Sequence, residues 1–215
     1  MSTVSDSPNS RAPLPTNRGR QTQVAIDVAA RTVIARKGIL ATTIADIAAE
    51  AGRSTASFYN YYDSKEAMVR EWAVRFRDEV GERSKPVTRH GLSTRERAHQ
   101  VAAAQWHAYK HRLPEMISIS QLAMVNDYFA KYWADICDIP TSFITEMVRR
   151  AQADGYCAHD DPQLIAVAIV AMLNQFCYLQ LAGPASRQDD RPDDEACIAT
   201  LTNIFYRAIY CKEGR

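Results

Sequence analysis

Apolar residues recur along this chain with a period near 3.6 rather than 2, the spacing of helices that each bury one face. Beyond Gln21, the positions Ile26, Ala29, Ala30, Val33 and Ile34 fall at i, i+3, i+4, i+7 and i+8, one face of a helix that Gly38 stops. Thr43 can accept a free backbone N–H, and Asp46 three residues on completes the spacing of a capping box. A second helix therefore starts there, turns Ile44, Ile47, Ala48 and Ala51 inward, and ends at Gly52. Ser54 caps a short third helix, with Phe58, Tyr61 and Tyr62 directed at the core and Thr55, Ala56, Ser57, Tyr59 and Asn60 outward or at the margins. Asp63 with Glu66 predicts another capping box and a fourth helix from about Ser64, carrying Met68, Trp72 and Phe76 on one stripe and fading near Gly81.

Gly, Pro and charge crowd residues 81–93, which reads as a connection to a second domain. Beyond it the pattern predicts helices over 94–111, 114–126, 128–135, 141–154, 162–181 and 193–211, with a polar, Pro-containing loop at 183–191. No strand-like alternation competes, so the expected fold is all-α. The expected domains are an arm at 1–19, a three-helix domain with its fourth helix at 20–80, and a larger helical domain at 81–215. The arm is rich in Ser, Pro, Asn and Arg without periodicity and should be flexible.

Composition changes this picture little. With 47% hydrophobic and 24% charged residues the chain is an ordinary globular one. A net charge of +1 demands no nucleic-acid partner, but residues 11–65 hold eight basic against four acidic side chains. The balancing acid lies around Asp189, Asp190, Asp193, Asp194 and Glu195. The five cysteines form no Cys-x-x-Cys pair and come with no secretory signal, which fits a reducing cytoplasm and small buried side chains. The most apolar run, 164–173, is interrupted by Asn174 and Gln175 and reads as shorter than the roughly 20-residue span of a bilayer. No membrane partner is expected.

Two short helices joined by a tight Gly turn make a helix-turn-helix, whose second helix can enter a major groove. Residues 42–68, TTIADIAAEAGRSTASFYNYYDSKEAM, closely resemble the signature of the TetR family of transcriptional regulators. The resemblance covers about residues 21–80; beyond them only length and helical character match. It implies a one-component regulator with an operator in double-stranded DNA, and contacts to that DNA from Ser54, Thr55, Ala56, Ser57, Tyr59, Asn60, Tyr61 and Lys65. Thr43, at a helix start, suits a phosphate oxygen or serves as a cap alone. Lys65 suits a phosphate or is a solvated lysine. Asn60 is the most informative base reader, because its amide pairs bidentately with adenine N6 and N7. The recognition helix lacks Arg and Lys, so guanine contacts fall to Arg53 at its entrance, where the family usually has a small apolar residue. Arg53 either reaches DNA or lies off a tight corner. Tyr62 replaces the family's usual Phe and reads as core, whereas Tyr59 and Tyr61 suit phosphates.

For the second domain the resemblance implies a small-molecule effector and a homodimer through the last two helices. Those helices carry Leu164, Val167, Ala168, Ala171 and Met172 on one and Ile198, Leu201, Ile204 and Phe205 on the other. Pocket candidates are Trp106, Tyr109, Met116, Met124, Phe129, Trp133, Met147, Phe176 and Tyr178, with Asn174, Gln175 and Gln180 as polar anchors. Such a lining favours an apolar or amphipathic effector, although most of these residues should simply be core. Effector-released repression is the family's habit; activation, or a C-terminal domain that only dimerises or binds a protein, are the alternatives. No glycine-rich phosphate loop, nucleophile elbow or zinc-helix motif suggests an enzyme, and no cofactor is expected. His107 and His111 have metal-compatible spacing but no acidic or thiol pair to complete a ligand set.

Overall fold

The described residues form eight helices and no strand: α1 (Asn17–Lys37), α2 (Ile44–Glu50), α3 (Thr55–Tyr59), α4 (Lys65–Arg83), α5 (Thr94–Ala123), α6 (Asp127–Ala153), α7 (Pro162–Leu181) and α8 (Asp194–Tyr210). The structure is a computed structural model that describes residues 17–83, 91–182 and 193–210, without the side chains of 76–83. Expectations for the arm at 1–16, Phe76, the connection at 84–90, the loop at 183–191 and Cys211 lie outside these residues.

The local signals act where the sequence put them. Gly38 closes α1 with φ +75° and donates its N–H to the Ile34 carbonyl at 2.8 Å. Thr43 caps α2 in a reciprocal box with Asp46, at 3.1 Å from the Asp46 N–H to the hydroxyl and 2.8 Å from the Thr43 N–H to the carboxylate. Lys37, the Thr43 hydroxyl and the Thr43 N–H together hold the Asp46 carboxyl well below the usual carboxylate range. Ser54 caps α3 by accepting from the Ser57 N–H at 3.2 Å.

Other boundaries move. The first helix begins at Asn17, inside the segment expected to be flexible. The cap of α4 is Ser64, which accepts from the Ala67 N–H at 3.0 Å, rather than the expected pair of Asp63 and Glu66. That helix also continues past Gly81 to Arg83. Residues 128–135 and 141–154 are one helix: α6 runs through Pro140, which removes a single N–H from the ladder without ending it. Helix α5 joins two expected helices across a kink, with Arg112 at φ −131°, ψ 28° and Pro114 just beyond.

Packing divides the molecule at these irregularities. One core gathers Ile26, Ile34, Ile47, Phe58, Met68 and Trp72 from α1–α4, together with Ile117, Ile119 and Leu122 of α5 and Phe129 and Tyr132 of α6. The other gathers Trp106, Tyr109 and Met116 of α5, Ile144 and Met147 of α6, and buried residues of α7 and α8. Leu113, Trp133 and Ile136 touch both. The seam thus crosses α5 at the Pro114 kink and α6 ahead of Pro140, whereas the sequence suggested a boundary near residue 81.

Helix α7 is 20 residues long with a mean hydropathy of 1.9, long and apolar enough to cross a bilayer by length and composition. The shorter estimate failed because the helix continues through Asn174 and Gln175. Its inward side, Ala166, Ile169, Val170, Leu173 and Cys177, packs into the C-terminal core.

Candidate nucleic-acid interface

A lone acid on the apolar face of α1 organises the N-terminal core. Asp27 is 7% exposed. Its carboxylate accepts from the Tyr62 hydroxyl at 2.7 Å, the Trp72 indole at 3.2 Å and the Arg75 guanidinium at 3.4 Å. Gln23 in turn donates to the Tyr62 oxygen at 3.1 Å. This accounts for tyrosine at a position where the related signature has phenylalanine. Burial, then the bond to Asp27, pushes the Tyr62 hydroxyl up to about 12.

Phe58 anchors α3 to this core with no exposed surface, and Tyr62 packs against its ring at 5.6 Å. The rest of the segment faces outward: Arg53, Ser54, Thr55, Ala56, Tyr59 and Asn60 are exposed, and Ser57 and Tyr61 are half-buried. Thr43, the α2 cap, is exposed as well. The predicted DNA-facing residues are thus at least partly accessible, and Arg53 and Ser57 line one cleft; Lys65 is engaged elsewhere. Its ammonium donates to the carbonyls of Ile39 and Thr42 at 2.8 Å each and of Leu40 at 3.4 Å. Those bonds tie the start of α4 to the α1–α2 turn and use all three donors that a phosphate or solvent would otherwise take.

The α1–α2 turn is held from the far side too. Gln121 of α5 accepts from the Ile39 N–H at 3.0 Å, and its side chain lies so close to Gly38 that a Cβ there would stand 2.6 Å from Oε1. Arg31 of α1 bonds Glu115 of α5 at 2.8 Å, with Glu115 only 1% exposed, and stacks over Trp72 at 4.6 Å. The Tyr132 hydroxyl of α6 bonds the Ala73 carbonyl of α4. The sequence reading missed Asp27, Glu115 and Gln121. Only Asp27 left a signal, as a single carboxylate amid the apolar face of α1.

Among the effector candidates, Trp106, Tyr109, Met116 and Met147 are buried in the C-terminal core. Asn174 accepts from Gln105 at 2.7 Å and Phe176 lies 6.3 Å from Trp106. The Trp106 N–H is buried without a bonded acceptor, although it points toward Asp194. The hydrogen bond from Lys110, and after it the indole, holds the Asp194 carboxyl below the usual carboxylate range. Others do not converge there. Met124 is 81% exposed at the end of α5, Gln175 and Tyr178 lie on the outer face of α7, and Phe129 belongs to the N-terminal core. Trp133 stands at the seam and Gln180 is half-buried.

Leu164, Val167, Ala168, Ala171, Gln175, Tyr178 and Leu179 share one exposed side of α7. On α8 only Ile204 of the expected dimer face is exposed; Ile198, Leu201 and Phe205 are inside their own core. The stripe of Ile198, Leu201 and Phe205 expected to meet a partner is thus the inward face of α8.

Residues 26–72 match the model of the bacterial regulatory proteins of the tetR family. The chain is similar to the HTH-type transcriptional repressor KstR2 of Rhodococcus jostii, 28% identical over 133 residues that make up 56% of this chain and 64% of that protein. The aligned stretch therefore spans less than two thirds of that relative. Among solved structures, a TetR-like transcriptional regulator from Rhodococcus sp. RHA1 superposes with a TM-score of 0.67 at 21% identity, covering 93% of this chain and 100% of that one. The ketosteroid transcriptional regulator KstR2 of Mycobacterium tuberculosis gives 0.60 at 20% identity over 85% and 93% of the two chains. Residues 26–72 thus match the tetR family of bacterial regulatory proteins, and nearly the whole chain has the all-helical fold of a solved TetR-like regulator.

Proposed function

We propose that this protein is a DNA-binding transcriptional repressor of the cytoplasm, not an enzyme, dimeric and released from its operator by a small-molecule effector. The observation that carries the reading is α3. It is fixed by the fully buried Phe58, presents Thr55, Ala56, Tyr59 and Asn60 to the outside, and lies within the segment matched to the regulator family.

In this reading Asn60 pairs with adenine, Ser54, Thr55 and Ser57 touch neighbouring base edges, and Thr43, Tyr59 and Tyr61 position the helix on phosphates. The apolar outer side of α7, with Ile204 of α8, meets a second copy. Two recognition helices then face half-sites about 34–36 Å apart. The effector occupies the C-terminal core beside Trp106, Tyr109, Met147 and Asn174. The name of the ketosteroid regulator agrees with an apolar or amphipathic molecule of sterol-like bulk.

A mobility shift on the DNA flanking its own gene tests this. The wild type is expected to form one complex that unrelated DNA does not compete, and Asn60→Ala to lose about 5- to 150-fold of its preference, the 1–3 kcal/mol of one bidentate base pair. If neither that DNA nor any sequence from a random duplex library is retained, the proposal is wrong.

A further inference from the structure

Two clefts open on the N-terminal unit, and they differ in charge. The larger, about 420 Å³, is lined by Val33, Arg36, Lys37, Asp46, Ala49 and Glu50. Both of its cations are taken: Arg36 pairs with Glu50, and Lys37 with Asp46 at 2.6 Å. The smaller, about 340 Å³, is lined by Arg18, Gln21 and Thr22 from the start of α1 and by Arg53 and Ser57 from the entrance of α3. Among the described residues no carboxylate lines it and neither arginine has an acidic partner. Two guanidiniums beside one uncompensated cleft repel each other and attract an anion.

The lining identifies that anion. Arginine, glutamine, serine and threonine together are the side chains that contact DNA phosphates, and the cleft adjoins the exposed face of α3. Arg53 stands before the cap of α3 and shares its cleft with the start of α1. We propose that Arg18 and Arg53 clamp one backbone phosphate between α1 and α3, so that Arg53 sets the register of the recognition helix and does not read guanine. This rests on the DNA-binding reading.

The test measures affinity against salt for the full chain on the duplex it binds, comparing wild type, Arg18→Ala, Arg53→Ala, the double variant and Arg53→Lys. The double variant should bind every duplex, specific or random, about tenfold or more weakly, with a log–log salt slope shallower by about 2 for a dimer losing one phosphate per subunit. The two single losses should not add, because both side chains serve one phosphate. Arg53→Lys should keep the slope while regaining only part of the affinity. Base preferences selected from a random library should not change in any of them. An Arg53→Ala protein with a wild-type slope and an altered preference at one base pair is a guanine reader and overturns the clamp. Unchanged affinity and slope overturn it too, leaving DNA binding intact. A wild type that binds no DNA overturns the functional reading and the clamp together.

Discussion

The N-terminal core encloses a carboxylate that three donors reach, whereas the C-terminal core encloses an indole N–H that no acceptor bonds. Around Asp27, Glu115, Gln121 and Lys65, bonds between residues distant in sequence fix α1, α4 and α5 in one arrangement. In the core that holds Trp106 the polar contacts are mostly local to its rim: Gln105 bonds Asn174, Asn174 reaches Cys137 Sγ at 3.6 Å, and Lys110 pairs with Asp194 at 2.6 Å, while Phe176 lies against the indole. The N-terminal network leaves Glu115 Oε2 buried without a partner, yet its many long-range bonds specify one geometry, whereas the apolar C-terminal packing adapts more readily to what fills it. The difference teaches where rigidity is needed. On the proposed reading, a helix that reads bases is placed to within a fraction of an ångström, and a pocket for an effector yields.

The central claim is that the DNA-reading unit does not end with the matched family segment. It includes the part of α5 beyond the Pro114 kink and the start of α6; on the proposed reading, an effector that moved α5 on one side of the seam would act on α1 through Glu115 and Gln121.

Asp27→Ala gives the largest expected effect. It strands the Tyr62 hydroxyl and the Trp72 N–H in the core and frees Arg75, at a cost of about 3 kcal/mol seen in urea unfolding. A loss below about 1 kcal/mol would remove the basis of the comparison. Gly38→Ala comes next. The left-handed φ of +75° disfavours any side chain, and the new Cβ displaces Gln121 from Ile39, together about 2 kcal/mol. In a Gln121→Ala background the steric part should vanish and the backbone part, about 1 kcal/mol, remain.

Tyr62→Phe is the smallest, about 1 kcal/mol at neutral pH. Its pH dependence sharpens the comparison. The folded hydroxyl titrates at about 12 against an ordinary 10.0, so its contribution is complete below pH 10.0 and is lost as pH rises through 12. The wild type should therefore weaken over that window more steeply than Tyr62→Phe.

Much of this was legible in the sequence, for reasons that lie in its local chemistry. Thr43 with Asp46, Ser54 and Gly38 act on backbone within a few residues, so their spacing alone predicts α1 to α3 and the outward side of α3. The seam was not legible, because Arg31 and Glu115 are 84 residues apart and Ile39 and Gln121 are 82 apart. The pattern predicts a gap at residues 136–140, yet packing on both cores carries α6 through it and through Pro140. Lys65 looked like a free cation because nothing local shows that three carbonyls of a distant turn converge on it. The dimer face was half legible: α7 shows its apolar outer side at helical spacing, while the stripe on α8 proved to be its own core.

The most direct measurement is hydrogen exchange of the full chain, alone and bound to the duplex it selects. The account predicts new protection at the start of α1, at Thr43 and across 53–60. It also predicts that 117–132 gain protection with α1–α4, while the amides of 98–110 and 166–177 keep the rates of the free protein. Protection confined to α7 and α8, or an α5 that responds as one unit from Thr94 to Ala123, would contradict it.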